Sequence, residues 1–337
     1  MANSSSSSSY VTAIRPRAAI EGGRIAIHGS GFPVDRPQPP QVYIGDVSAR
    51  VVYASSTRLD ALVPAGVIGE RTLARVAGAS GESSVVHVAV PFANDLHQVD
   101  NPVFDTQGNL YVTNSGSRGQ EVPVSIYRVR SNGAREVFST GIVNATSMAI
   151  DPMNRLYVSS RFEGTVYRLA SDGSAEPFAT DLGVACGLAF GADGTLFVGD
   201  RSGTIFAVDS GGRAHPFASL PASVAAFHLA LGPDAALYVT GPTLASYDAV
   251  YRVDCDGRVT IRSEAFGRPQ GLAFDASGTL FVVEALAGAN GVYRLAAGGD
   301  PELVLAGTDL VGLAFDPGGG LVACSNETAY RLSSLPA

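Results

Sequence analysis

From Asn101 onward the chain repeats one pattern of apolar and polar positions. A short apolar strand leads into a tight Asp/Gly-rich turn, and a second strand of alternating β-branched and aromatic residues follows. Six segments carry the pattern: NPVFDTQGNLYVTN from Asn101, SMAIDPMNRLYVSS from Ser147, GLAFGADGTLFVGD from Gly187, HLALGPDAALYVTG from His228, GLAFDASGTLFVVE from Gly271 and GLAFDPGGGLVACS from Gly312. Their fifth positions are Asp105, Asp151, Gly191, Gly232, Asp275 and Asp316, so the steps are 46, 40, 41, 43 and 41 residues. A four-stranded propeller blade needs a period of roughly 40 residues. A third strand carries a Tyr-Arg-apolar signature at Tyr127, Tyr167, Tyr251, Tyr293 and Tyr330, with Phe206 in the third repeat. A fourth strand, such as EPFAT ending at Thr180, closes the blade. The recurring Asp105, Asp151, Asp275 and Asp316 read as turn residues that bond their own backbone.

The sixth repeat stops after AYRLSS with three strands, and an unclosed ring leaves an exposed sheet edge. PFANDL at 91–96 matches PFATDL at 177–182, the fourth strand of the second repeat. The pattern therefore predicts a six-bladed β-propeller over 91–337, closed by the strand near 91–96.

Residues 10–90 read differently. They hold about seven candidate strands, among them RIAIHGSGF, QVYIG, ARVVY and TLARVAG, a density that suits an immunoglobulin-like sandwich. An Ile-x-Pro at Pro16, Gly22-Gly23, IHGSGF, VYIG and LVPAG follow in an order that resembles the TIG (IPT) family of immunoglobulin-like domains. The expected fold class is all-β: an immunoglobulin-like sandwich followed by a six-bladed β-propeller. Residues 1–9, Met-Ala-Asn and then serines, read as a disordered tail. They lack the basic and apolar regions of a signal peptide. Localisation stays open: secreted or periplasmic if a leader was removed, otherwise cytoplasmic. No apolar run is long enough for a membrane span.

Composition narrows the functional classes. Hydrophobic residues at 46% and charged residues at 16% exclude a disordered chain, and 39 Gly with 19 Pro favour many short strands. The net charge is -8, and all 23 basic residues are Arg, as a GC-rich bacterial genome would encode. An acidic chain without a basic run argues against a nucleic-acid partner. Cys186, Cys255 and Cys324 lie far apart and form no metal-binding or disulfide pattern.

Strand direction fixes the candidate face. Starts of first strands, ends of second strands and the longer loops 115–124, 242–248 and 285–290 share one end of the ring, where function usually sits. Asp100, Asn101, His228 and Gln270 lie at first-strand starts. Asn114, Arg161, Asp200, Arg201 and Glu284 lie at second-strand ends. On this placement Asp200, Glu284 and His228 are the candidate catalytic groups, with His228 as general base. Asn101, Asn114, Arg161, Arg201 and Gln270 are candidate binding groups.

The repeats resemble NHL-type propellers and the gluconolactonase-like (senescence marker protein) family. The likeness implies a divalent cation, Ca or Zn, at the top of the channel, held by a Glu, Asn residues and an Asp just before first strands. Asp-Asn-Pro-Val-Phe puts Asp100 at the Glu position as the metal ligand, whereas Thr146, Cys186 and Phe227 stand where the family has Asn, Asn and Asp. The resemblance therefore implies a lactonase-like hydrolase with a non-standard metal site, taking a small polar molecule or a glycan. The alternative is a non-catalytic protein- or glycan-interaction module, with a protein partner reached through the TIG-like domain.

Overall fold

The computed structural model describes residues 9–336 apart from 35–37, 68 and 82–83. Every regular element among them is a strand, and no helix is long and apolar enough to cross a membrane. The chain divides into two compact units. One is residues 1–90 with 303–308 and 334–337; the other is 91–302 with 309–333. The serine-rich tail lies outside the described residues except for Ser9, which already belongs to the strand Ser9–Arg15 and donates its hydroxyl to Gly31 O at 2.7 Å.

The N-terminal unit is the expected sandwich. Its strands alternate as one buried face dictates: in Arg71–Val76 the odd positions are exposed, while Thr72, Ala74 and Val76 point inward. Ile14, Ile25, Ile27, Val42, Ile44, Leu59 and Val86 fill the core. Each fully buried side chain of this kind contributes roughly 1.5–3 kcal/mol. The strand Val47–Ala54 pairs with Val42–Ile44 at one end and with Arg58–Leu62 at the other, shifting register between Val51 and Tyr53 as it passes from one sheet to the next.

The second unit is a propeller-like ring. Four complete four-stranded sheets follow one another in chain order. They are Val103–Phe104, Leu110–Thr113, Ile126–Val129, Arg135–Ser139; Ala145–Ile150, Leu156–Ser160, Thr165–Leu169, Ala175–Ala179; Ala185–Phe190, Leu196–Asp200, Thr204–Val208, Ala214–Ser219; and His228–Leu231, Leu237–Thr240, Asp248–Val253, Val259–Phe266. A fifth is built from Leu310–Phe315, Leu321–Ser325 and Ala329–Leu332, with Val90–Ala93 as its outer strand. The N-terminal strand thus completes the last sheet, as the PFANDL match predicts.

The blade count differs from expectation. Where six complete blades are predicted, five four-stranded sheets stand apart, and the fifth repeat contributes the run Pro269–Phe274, Leu280–Glu284, Gly291–Leu295. Its expected outer strand, Glu302–Ala306, lies mostly in the N-terminal unit and pairs in parallel with Ala18–Ala19 through Leu305 and Ala306. The reason is burial. Leu305 and Ala306 are fully buried, whereas outer strands elsewhere in the ring are largely exposed.

The inner strands of all six repeats neighbour one another in succession, and the last touches the first. The first and fourth repeats therefore face each other across the axis. Two local devices hold the ring. Within a blade, a second-strand aromatic packs on a fourth-strand Phe: Tyr111 on Phe138, Tyr157 on Phe178, Phe197 on Phe217, with centroids 4.9, 5.1 and 4.9 Å apart. Between blades, the turn glycine before the fourth strand of the second, third and fourth repeats rests against the preceding outer strand. A Cβ at Gly173, Gly212 or Gly257 would meet Phe138 O, Phe178 O or Phe217 O at 1.6, 2.0 and 2.2 Å. The first-turn aspartates act as the sequence implies. Asp105 accepts from Gln107 N–H and Asn109 N–H, and Asp151, Asp275 and Asp316 repeat the pattern.

Candidate functional site

At the end of the ring where first strands start, a cavity of about 380 Å³ opens. Arg161 and Arg201 reach it from second-strand ends, Arg118 from the loop of the first repeat, and Gln270 from the start of the fifth inner strand. Gln98 and Asn326 complete its polar lining. Val99, Val184, Val224, Ala225, Ala226 and Val311 supply apolar walls. Among the described residues no carboxylate lines it. Burial, with repulsion from Arg201 and Arg118, draws the Arg161 guanidinium below its usual pKa. Burial and the charge of Arg161 lower the pKa of neighbouring His97 in the same way.

Beyond this mouth a channel of about 470 Å³ runs along the inner strands, lined by residues such as Asp100, Ser147, Leu188, Leu229, Leu272 and Leu313. Between the two, at the first-strand starts, His228 Nδ1 lies 2.5 Å from Asp100 Oδ1. Both side chains are buried, and they come from opposite sides of the ring. His228 Nε2 is buried with no hydrogen-bond partner among the described residues. Cys186 is beside them, its thiol pushed up to about 12 by burial, so it stands as a neutral SH.

The predicted site residues separate into three groups. Arg161, Arg201 and Gln270 share the mouth, and Asp100 and His228 form the tie beneath it. Asn101, Asn114, Asp200 and Glu284 do something else. Asn101 donates to Leu272 O and accepts from Leu313 N–H, both at 3.0 Å, joining two inner strands. Asn114 opens the first long loop, bridged to His97. Asp200 accepts from Val184 N–H at 2.8 Å and from the Ser202 hydroxyl. Glu284 accepts three backbone N–H groups, from Gly267, Arg268 and Leu286, at 2.6, 2.8 and 2.6 Å. Ser160, at the same strand end one repeat before Asp200, accepts from Glu163 N–H. Second-strand ends thus hold loop N–H groups that would otherwise lack a partner, a structural task. Glu284→Ala is expected to speed amide exchange in 267–268 and 285–290 by at least roughly tenfold, because each lost charge-assisted bond is worth about 1.5–3 kcal/mol. Unchanged exchange there would refute that role.

These bonds also bear on how the donor set fits the implied cation. Among the described residues no three His, Cys, Asp or Glu side chains gather to hold an ion. Asp200 and Glu284 are committed to loop donors, Thr146 donates to Asn144 O, and Phe227 carries no donor atom. A hard divalent cation takes six or more oxygens, so the donor set does not fit one shared by Asp100, Asp200 and Glu284.

Sequence reasoning missed Gln98, Arg118 and Asn326 as cavity residues. Gln98 precedes the repeat and Arg118 sits inside an irregular loop, where strand periodicity gives no position. Asn326 directly follows a second strand, which puts it on the candidate face beside Arg161 and Arg201, but it was not chosen as a binding group.

A closed succession of inner strands around a central channel defines a propeller-like ring. Residues 9–89 match the IPT/TIG domain family. No curated protein matches the chain. Among solved structures, an auxiliary nutrient binding protein from Bacteroides ovatus is 13% identical, covering 96% of this chain and 98% of its own, with a TM-score of 0.54. A candidate gluconolactonase is 17% identical over 72% of this chain and 90% of its own, with a TM-score of 0.59. Virginiamycin B lyase from Staphylococcus aureus is 15% identical over 71% of this chain and 84% of its own, with a TM-score of 0.52. At these identities the likeness speaks for the fold alone.

Proposed function

We propose that the ring is a six-bladed propeller that binds a small polar molecule in its mouth. The strand order Pro269–Phe274, Leu280–Glu284, Gly291–Leu295, Glu302–Ala306 supports a sixth blade. The observation that carries the binding reading is the mouth itself. A cavity of about 380 Å³ with apolar walls and a few convergent polar groups has the size and character of a ligand site. Among the described residues the Gln270 side-chain amide has no hydrogen-bond partner, so it can orient a ligand, while its backbone carbonyl accepts from Thr240. Two of the similar structures carry the names auxiliary nutrient binding protein and gluconolactonase, and a small-molecule site accords with both names.

The hydrolytic reading rests on His228, whose Nε2 has no protein partner while Asp100 holds Nδ1. A carboxylate behind an imidazole is the arrangement of a general base. His228 is wholly buried under the mouth, and this favours binding over turnover.

The test is a panel of sugar lactones, sugar acids and neutral sugars screened by thermal shift, with wild type beside Ala225→Trp. Ala225 is an exposed lining residue, so the indole fills the mouth without entering the core. A ligand at about a hundred times its Kd adds roughly 2.7 kcal/mol, or about 5 °C or more in Tm, to wild type alone. Equal shifts in both proteins would place the ligand elsewhere and sink the proposal.

A further inference from the structure

We infer that the mouth selects an organic anion, a carboxylate or phosphate carried on a short apolar body. The inference rests on the binding reading above and specifies the ligand's chemistry.

The Tyr-Arg signature of the third strand supplies an Arg to most repeats, and each has an acidic partner. Arg128 and Arg168 pair with Glu136 and Glu176, Arg252 with Asp234, Arg294 with Glu302, and Arg331 with Asp316. The mouth departs from this practice. Arg118, Arg161 and Arg201 line one cavity in a protein of net charge -8, and among the described residues none has a carboxylate within ion-pair distance.

The carboxylate closest in sequence is unavailable. Asp200 precedes Arg201, but its two oxygens are taken by Val184 N–H and Ser202. What holds the guanidiniums in place is weak and partial. Arg161 Nη2 donates to Gly116 O at 3.4 Å, and Arg201 Nε donates to Ser223 O at 3.2 Å. A guanidinium carries five N–H donors in a planar fork. One anchored N–H on each leaves the remaining donors to converge on the cavity.

Three like charges around one space repel one another, and partial burial of Arg161 raises the cost. An oxyanion between them removes that repulsion and meets the forks with the paired geometry they favour. The walls add the second requirement. Val99, Val184, Val224, Ala226 and Val311 offer nothing to a hydroxyl-covered sugar face, but they bury the methylenes of an aliphatic chain. A charged head among the arginines and an apolar body on the valines is the ligand this lining fits.

The test uses calorimetry on the full chain with hexanoate and hexyl phosphate as the two anions, hexanamide as the neutral counterpart, and acetate and inorganic phosphate as heads without a body. We expect hexanoate or hexyl phosphate to bind at least about tenfold more tightly than hexanamide and than its bare head, with affinity falling as salt is raised. The better of the two names the head group. Arg161→Ala and the exposed Arg201→Ala are each expected to weaken the anion roughly tenfold or more while leaving hexanamide unchanged. Melting temperatures of both variants check that the ring is intact. Hexanamide binding as well as the anions, lost in Ala225→Trp but indifferent to either arginine, would overturn the charge assignment and leave the binding site standing. Binding of none of the probes would overturn the anion assignment, and the sugar panel with Ala225→Trp then decides the binding reading by itself.

Discussion

Asp100→Ala is expected to lower the melting temperature of the propeller by roughly 10 °C. Removing one member of a buried charge-assisted hydrogen bond, with its partner left stranded, costs about 3 kcal/mol, and each kcal/mol is worth about 2–4 °C in a unit of this size. The carboxylate is buried, its Oδ1 is 2.5 Å from His228 Nδ1, and the two residues come from repeats facing each other across the axis. The truncation therefore strands a wholly buried imidazole and cuts a brace that spans the ring. His228→Ala strands the carboxylate instead and is expected to cost about as much. The double replacement Asp100→Ala, His228→Leu leaves no uncompensated charge and fills the imidazole's space, so it should melt above either single variant. The measurement is thermal unfolding of all four proteins by circular dichroism. Single variants within about 2 °C of wild type, or strictly additive effects, would show that the pair does not brace the ring.

The second large effect is steric. Gly173 has a φ of +84°, and a Cβ there would lie 1.6 Å from Phe138 O, the backbone of the neighbouring blade. Gly173→Ala carries about 1 kcal/mol for the left-handed backbone and a further 1–3 kcal/mol or more for displacing a packed main chain. A fall of roughly 6–15 °C in Tm is expected. Gly108 isolates the second contribution. Its φ is +79°, but nothing lies within 4 Å of its would-be Cβ. Gly108→Ala should therefore show the backbone cost alone. If the two variants lose the same stability, blade contact at the turn glycine is not what holds adjacent sheets together.

The contrast between these residues shows what the sequence could disclose. The repeat, the turn aspartates and the closing strand are local patterns of spacing and residue type, and they survive into the structure. Glu302–Ala306 follows the third strand of its repeat as an outer strand does, but it also pairs with Ala18–Ala19, which spacing alone does not disclose. Its residues carry a trace of this: Leu-Val-Leu-Ala lacks the Pro-Phe of 177–178 and is too apolar for a solvent-facing edge. At the site, Arg161 and Arg201 were legible because they follow second strands directly. Asp200 and Glu284 stand at the same kind of position and misled. A carboxylate at a strand end looks like a ligand until the loop beyond it proves to need its oxygens for N–H groups. The Asp100–His228 pairing was invisible, since 128 positions separate its members and only ring closure brings them together.

Ring closure also has a timetable. The outer strand ending at Ala93 waits for the strand beginning at Ala329, a separation of 236 positions, 329 less 93. At about 5–20 residues per second of synthesis, the wait is roughly 12–47 seconds. The four sheets between Val103 and Phe266 can form as their own strands leave the ribosome, since each is built from consecutive segments. Throughout that interval the Pro91–Ala93 edge offers unpaired backbone to any neighbouring nascent chain. The crowding of ribosomes on one message, more than the final stability of the protein, then sets how many chains close on themselves.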